Sequence, residues 1–136
     1  MNHLEEGEAL KLDFAKIAKI AGKCGDVIPV AIQNADTLEV VLVAYTNELA
    51  FRKSMDTRTL VLWSTSRGEL WEKGKTSGET FELVEVFVNC EQNSLVYKVR
   101  PRRGGICHTK NRAGEPRNCY YRRINLDTLA LENVDP

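Results

Sequence analysis

The chain has no apolar run approaching the roughly 18 residues of a membrane span. Its first residues, MNHLEEGEAL, are acidic and polar where a secretory leader needs a basic and then an apolar stretch. These two absences predict a cytoplasmic protein without a membrane partner. A dominant charge is missing too, because Lys+Arg and Asp+Glu both number 19. No global field then draws the chain to nucleic acid, and any binding must be local. Histidine is nearly absent, at 2, and cysteine is scarce, at 4. In a reducing compartment, so few thiols predict buried, metal-binding or catalytic roles, and a structural pair of thiols stays open. Internal repeats, low-complexity tracts and linkers are also lacking. The 136 residues, 43% of them hydrophobic, therefore read as one domain able to bury about two-thirds of its unfolded surface.

From Glu8 to Ala21 the apolar residues Leu10, Phe14, Ile17 and Ala21 recur at helical spacing, with Gly22 and Gly25 as stop signals. This predicts an amphipathic N-terminal helix. The stretches IPVAIQ, LEVVLVAYT and TLVLWST read as strands, separated by the turn-like NADT and by NELAFRKSM, a short helix that Asn47 caps. TFELVEVFVNC and SLVYKVRP flank EQN and predict a β-hairpin over residues 80–101 with Cys90 at its tip. CYYRRINLDTLAL is expected to return as a strand and then fray.

Cys107 and Cys119 bracket a loop too rich in Gly, Pro, Asn and Arg to be a buried element, and Cys90 sits at a strand end. Thiolates are soft donors, and three protein ligands with one open position make a catalytic zinc arrangement. The Cys-x(11)-Cys spacing matches no standard finger. Zinc ligands and ordinary loop thiols therefore both fit these residues. His108 favours zinc, because an imidazole beside a metal site can move protons near neutral pH. As a neighbour of Cys107 in extended chain it would point the other way, which suits a general base better than a fourth ligand. Cys24 has no evident chemical role beyond that of a small thiol near a turn.

Upstream, WSTSRGELWEKGKTSGE gathers Arg67, Lys73, Lys75, Thr76, Ser77 and Gly78, the cations, hydroxyls and small residue that phosphate recognition needs. Trp63 and Trp71 add flat faces for a base. A solvated hairpin turn with half-buried tryptophans fits the same stretch. Arg100, Arg102, Arg103, Arg112, Arg117, Arg122 and Arg123 surround the Cys-His loop, either as a cationic setting for a phosphorylated substrate or as a basic surface strip.

WSTSRGELWEKGKTSGE, VEVFVNCEQNSLVYKV, GGICHT and CYYRR, in that order, resemble the phosphoribosyl-AMP cyclohydrolase family of histidine biosynthesis. The likeness runs from Val27 to Ile124. It divides the chain into an N-terminal helical extension (1–26), a cyclohydrolase-like domain (27–125) and a C-terminal tail (126–136). The resemblance implies a strand-rich α+β domain forming an intertwined homodimer, and the N-terminal helix read from periodicity lies outside the likeness. It places zinc on Cys90, Cys107 and Cys119 drawn from both chains, with His108 as the catalytic histidine. Trp63, Arg67, Trp71, Lys73, Thr76, Ser77 and Gly78 would bind a small phosphorylated nucleotide, 1-(5-phosphoribosyl)-AMP, whose adenine ring water opens between N1 and C6.

The likeness has two departures. Where the family has three carboxylates for magnesium around its first cysteine, this chain has Asn89, Glu91 and Asn93. Either Glu91 and amide oxygens hold magnesium more weakly, or the second metal is dispensed with. Between the last two cysteines stands HTKNRAGEPRN, longer than the family's loop, which costs little in closure entropy. A related cyclohydrolase for another purine nucleotide, or a non-catalytic zinc or nucleotide module, remains as an alternative.

Overall fold

The computed structural model describes residues 3–73, 80–102 and 109–136. In chain order its elements are α1 (His3–Glu6), α2 (Lys16–Lys23), β1 (Ile28–Asn34), β2 (Val40–Thr46), α3 (Glu48–Thr57), β3 (Val61–Ser64), β4 (Glu69–Glu72), β5 (Phe81–Val88), β6 (Leu95–Pro101), β7 (Arg122–Ile124) and β8 (Leu131–Asn133). Strands dominate, as expected of a strand-rich α+β domain.

Four strands form the main sheet in the order β2-β1-β6-β5. β1 and β6 run parallel at its centre, and the outer pairs are antiparallel. Asn34 sets the β1–β2 turn, its Oδ1 accepting from the N–H of Asp36 (2.8 Å) and of Thr37 (3.0 Å). The expected hairpin is β5–β6, with Cys90 in its turn.

Alternation along these strands sends Val30, Ile32, Tyr97, Val99 and Leu83 to one face, where they are buried. Leu60 and Leu62 meet them from the β3 segment, and Phe51 and Met55 from α3. α3 begins as its sequence predicts: Asn47 Oδ1 accepts the Ala50 N–H at 2.9 Å. It is fastened to β3 by the fully buried Ser54, whose Oγ donates to Val61 O (2.7 Å) and accepts from Val61 N–H (3.0 Å). Each fully buried Leu or Ile in this layer contributes roughly 1.5–3 kcal/mol by leaving water.

The opposite face of the sheet is also apolar in one row. Val43 pairs with Ala31, Ala31 with Val96, and Val96 with Phe87. Val43 and Phe87, at the two ends of the row, are each 47% exposed.

The chain ends pack on one another. Leu131 N–H donates to Glu8 O at 3.0 Å, Arg122 donates to Gly7 O (3.0 Å) and Leu4 O (2.7 Å), and Tyr121 Oη donates to Glu5 O.

The N-terminal helix differs from expectation. It spans Lys16–Lys23, not Glu8–Ala21, and it buries Ile20 alone while Phe14 is 91% exposed and Ile17 61% exposed. The chain turns at Asp13, whose Oδ1 takes the Ala15 N–H at 3.1 Å. An Asp that binds the backbone two residues on favours a turn over another helical turn upstream.

Candidate active site

The β3–β4 hairpin carries the first group of candidate residues. Cross-strand pairing sets Trp63 opposite Leu70 and Leu62 opposite Trp71. Because faces alternate along a strand, Trp71 shares the core side of Leu62 and packs against the core. Trp63 lies on the other side, where it lines a cavity of about 370 Å³ together with Lys23, Cys24, Thr65, Ser66 and Arg67. The two tryptophans therefore do not clasp one base; Trp63 is the one beside the cavity. Ser64 Oγ accepts from both the N–H and the Nε of Arg67, each at 3.3 Å, and Glu69 stands 3.5 Å from that guanidinium. Lys73 places its Nζ 5.2 Å from the centre of the Trp71 ring, a cation–π distance. Thr76, Ser77 and Gly78 lie outside the described residues.

Next to this cavity is a second, of about 320 Å³, lined by Lys16, Lys19, Ile20, Lys23, Thr65 and Ser66. Three lysines of α2 thus border the same turn as Arg67. No motif marked them, since lysines on a helix read as a solvated face; only the packing of α2 on the hairpin turn brings them there.

The β5–β6 turn carries Cys90, which is exposed. Around it, Asn89 Oδ1 accepts from the N–H of Asn93 (2.9 Å) and of Ser94 (3.0 Å), and Asn89 Nδ2 donates to Asn93 Oδ1 (2.6 Å). Asn93 Nδ2 donates in turn to Glu91 Oε2 at 3.3 Å. Behind the turn a cavity of about 300 Å³ has an apolar lining of Ile28, Phe51, Val88 and Leu95, with Asp26, Glu48 and Gln92 also on its wall.

Cys119, also exposed, enters at the far side of the sheet. Its N–H donates to Val41 O at 3.1 Å, and Asn118 Nδ2 donates to Val40 O at 3.1 Å. These bonds seat it beside β2, one edge strand, whereas β5, which leads into Cys90, is the other edge. Three strand spacings amount to about 14 Å. Two thiolates on one zinc, each about 2.3 Å from it, lie within about 5 Å of each other. Cys90 and Cys119 of one chain do not meet. Cys107 and His108 lie outside the described residues, and among the described residues no three His, Cys, Asp or Glu form a group able to hold a metal. Burial raises the Tyr120 phenol above its ordinary pKa, the neighbouring Cys119 charge adds to the rise, and a hydrogen bond with the Val43 backbone opposes it.

The arginines expected to form a cationic setting are largely committed to the fold. Arg100 grips Asp36 through Nε and Nη2, with contacts of 2.9–3.2 Å. That guanidinium holds the Asp36 carboxyl below its ordinary pKa. Arg102 donates to Thr59 Oγ1 (3.0 Å) and Arg58 O (3.2 Å), and Arg123 pairs with Glu132 at 3.3 Å. Arg117 is buried against Glu6, Asp135 O and the Tyr121 ring. Charge in sequence is not charge on offer, because a guanidinium with five donors readily caps carbonyls and carboxylates within its own fold.

The family model described as phosphoribosyl-AMP cyclohydrolase matches residues 42–121. The chain belongs to the phosphoribosyl-AMP cyclohydrolase family. It is 42% identical over 106 residues to the phosphoribosyl-AMP cyclohydrolase of Methanothermobacter thermautotrophicus, covering 78% of this chain and 72% of that one. With the enzyme of that name from Hyphomonas neptunium it shares 43% identity over 105 residues, 77% of this chain and 76% of the relative. The Histidine biosynthesis bifunctional protein HisIE of Thermus thermophilus is 43% identical over 98 residues, 72% of this chain and 43% of that protein.

For a member of the phosphoribosyl-AMP cyclohydrolase family, the donors available speak differently for the two metals. Exposed thiols in turns, as at Cys90 and Cys119, suit zinc, which takes soft sulfur donors. The β5–β6 turn does not suit magnesium, which needs open hard oxygens, usually with one or two carboxylates. Both Asn89 Oδ1 and Asn93 Oδ1 already accept hydrogen bonds, and Glu91 is the one carboxylate of the turn. The candidate catalytic, substrate-binding and metal-ligating residues, Trp63 to Cys119, fall within the matched stretch, but α2 and its lysines precede it.

Proposed function

We propose that this chain is the ring-opening hydrolase of histidine biosynthesis that acts on 1-(5-phosphoribosyl)-AMP. The observation that carries the reading is the family match over residues 42–121, which encloses Trp63, Arg67, Lys73, Thr76, Ser77, Gly78, Cys90, Cys107, His108 and Cys119 together. The placing of Trp63 and Arg67 on one cavity supports it, since a flat ring and a guanidinium are what a base and a phosphate need.

In the reaction, water adds to carbon 6 of the N1-ribosylated adenine and the N1–C6 bond breaks. The water oxygen becomes the carboxamide oxygen, and N1 takes up a proton. Arg67, Lys73, Thr76, Ser77 and Gly78 hold phosphate, and the lysines of α2 add positive charge beside Arg67. Fixing the phosphate ends holds carbon 6 still against the attacking water, which is where positioning lowers the barrier. His108 takes the proton from the water and returns it at N1. Cys90, Cys107 and Cys119 would hold zinc, which when bound would supply the Lewis acidity that makes water nucleophilic near neutral pH.

We further propose that each zinc is shared by two chains of a homodimer. Two features support this reading. Cys90 and Cys119 sit at opposite edges of one chain's sheet, and the row Val43, Ala31, Val96 and Phe87 leaves an apolar sheet face for a second copy. The test is incubation of zinc-loaded protein with phosphoribosyl-AMP, following ring opening by chromatography. Turnover that Cys107→Ser abolishes is expected. Bound zinc without turnover would overturn the substrate and redirect the search to other purine nucleotides.

A further inference from the structure

The turn that carries Cys90 is closed by its own side chains. Residues 89–94 join β5 to β6, with Gln92 in the left-handed region at φ 55°. Asn89 works at both ends of its amide and at its backbone. Its Oδ1 takes two N–H groups, from Asn93 and Ser94, at 2.9 and 3.0 Å. Its Nδ2 gives a hydrogen bond of 2.6 Å to Asn93 Oδ1, its N–H donates to Ser94 O (3.2 Å), and its carbonyl accepts the Gln92 N–H (3.0 Å). Asn93 Nδ2 then reaches Glu91 Oε2 at 3.3 Å.

A divalent cation in this turn would have to coordinate the side-chain oxygens at 89, 91 and 93, the three positions that carry carboxylates in the family pattern. Two of those oxygens face N–H groups instead, and the positive ends of those dipoles point where the cation would sit. Breaking the network to admit magnesium would release three or more hydrogen bonds and still offer one carboxylate, short of the charge that usually holds this reluctantly dehydrated ion. An amide can do what a carboxylate–cation–carboxylate bridge does here, because it both donates and accepts and so ties positions 89 and 93 directly.

We propose that in this chain an amide network has replaced magnesium: Asn89 and Asn93 close the β5–β6 turn, and no divalent cation binds it. The turn therefore presents Cys90 in one conformation whatever the magnesium concentration. The inference rests on the zinc reading only in giving Cys90 a duty, and it is tested by binding rather than by turnover, so the two fail separately.

The experiment uses the full-length, zinc-loaded protein titrated with magnesium, and with manganese as a paramagnetic probe, while Tm and bound ion are measured. Unchanged protein is expected to show no Tm shift and no stoichiometric binding at millimolar ion. Asn89→Asp with Asn93→Asp, which restores three carboxylates with Glu91, is expected to lower Tm without magnesium and to regain it as magnesium is added. One magnesium bound per chain of the unchanged protein, lost in Glu91→Gln, would overturn the proposal. A folded double variant that binds no ion would equally overturn the assignment of the exclusion to these two amides. If the double variant does not fold, the titration of the unchanged protein still decides.

Discussion

Arg117 Nη1 lies 2.7 Å from Glu6 Oε1, an ion pair across 111 residues whose arginine side chain is only 5% exposed. It pins the loop leading to Cys119 onto the N-terminal segment. The same guanidinium donates to Asp135 O at 2.8 Å and lies 4.4 Å from the centre of the Tyr121 ring. Residues near both ends of the chain thereby hold the last of the three candidate zinc ligands.

Glu6→Ala leaves that guanidinium buried without its carboxylate. Loss of a fully buried partner costs about 3–5 kcal/mol; the part-exposed glutamate reduces this to about 1–3 kcal/mol. Urea denaturation should register the loss. An unchanged midpoint would mean that Asp135 O and the Tyr121 ring suffice for Arg117.

The shared zinc site makes a complementation prediction. Cys90→Ser and Cys119→Ser should each abolish turnover when alone. Mixed, unfolded and refolded together, they should regain activity, because one of the two sites in a mixed dimer receives both native thiols. No recovery in a mixture shown to contain mixed dimers would place both ligands in one chain.

Arg67→Ala should lower kcat/KM about 10- to 100-fold, the worth of one charge-assisted hydrogen bond to phosphate, about 1.5–3 kcal/mol. Lys23→Ala, on the wall of the same cavity, should cost less and do so mainly in KM, because its charge acts without a fixed geometry. Steady-state kinetics on phosphoribosyl-AMP separates the two. Equal effects from both would argue against a directed contact from Arg67.

Tyr97 is fully buried, and its hydroxyl has no hydrogen bond within 3.5 Å among the described residues; the Thr46 hydroxyl, close enough to act on it, donates to Asn47 O. Burial pushes the phenol up to about 12, and Thr46 opposes this. The folded pKa exceeds the unfolded value of about 10, so the unfolded chain loses its proton first as pH rises. Stability is then complete below about pH 10 and falls by up to about 2–3 kcal/mol between about pH 10 and 12. Tyr97→Phe should remove that alkaline loss and, at neutral pH, change stability by no more than about 1 kcal/mol. Chemical denaturation of both proteins at pH 8 and pH 11 is the check.

The elements written into local sequence emerged as the residues predict. The alternation of VEVFV and LVYKV made a hairpin with Cys90 at its tip, and Asn47 capped α3, because both depend on neighbours within a few positions. The family, too, was legible, since the spacing of WSTSRGELWEKGKTSGE, GGICHT and CYYRR is itself the signal. The N-terminal helix misled because periodicity at Leu10, Phe14 and Ile17 counts apolar residues and not what covers them. Phe14 and Ile17 have no such cover in this chain, and Asp13 turns the backbone before a helix from Glu8 could reach them.

The sequence by itself thus determined the strand-rich domain, the hairpin and the family, all of which rest on local pattern and motif order. Tertiary structure alone decided which charges are free. Arg100 finds Asp36 at a separation of 64 residues, Arg102 finds Thr59 at 43 and Arg117 finds Glu6 at 111, and no local pattern announces partners so far apart. It also set Trp63 and Trp71 on opposite sides of one hairpin, brought the lysines of α2 beside Arg67, and put Cys90 and Cys119 at opposite edges of the sheet. The physical reason is the same in each case: side-chain direction and strand order are properties of the folded sheet, and a residue's chemistry is settled by what the fold sets against it.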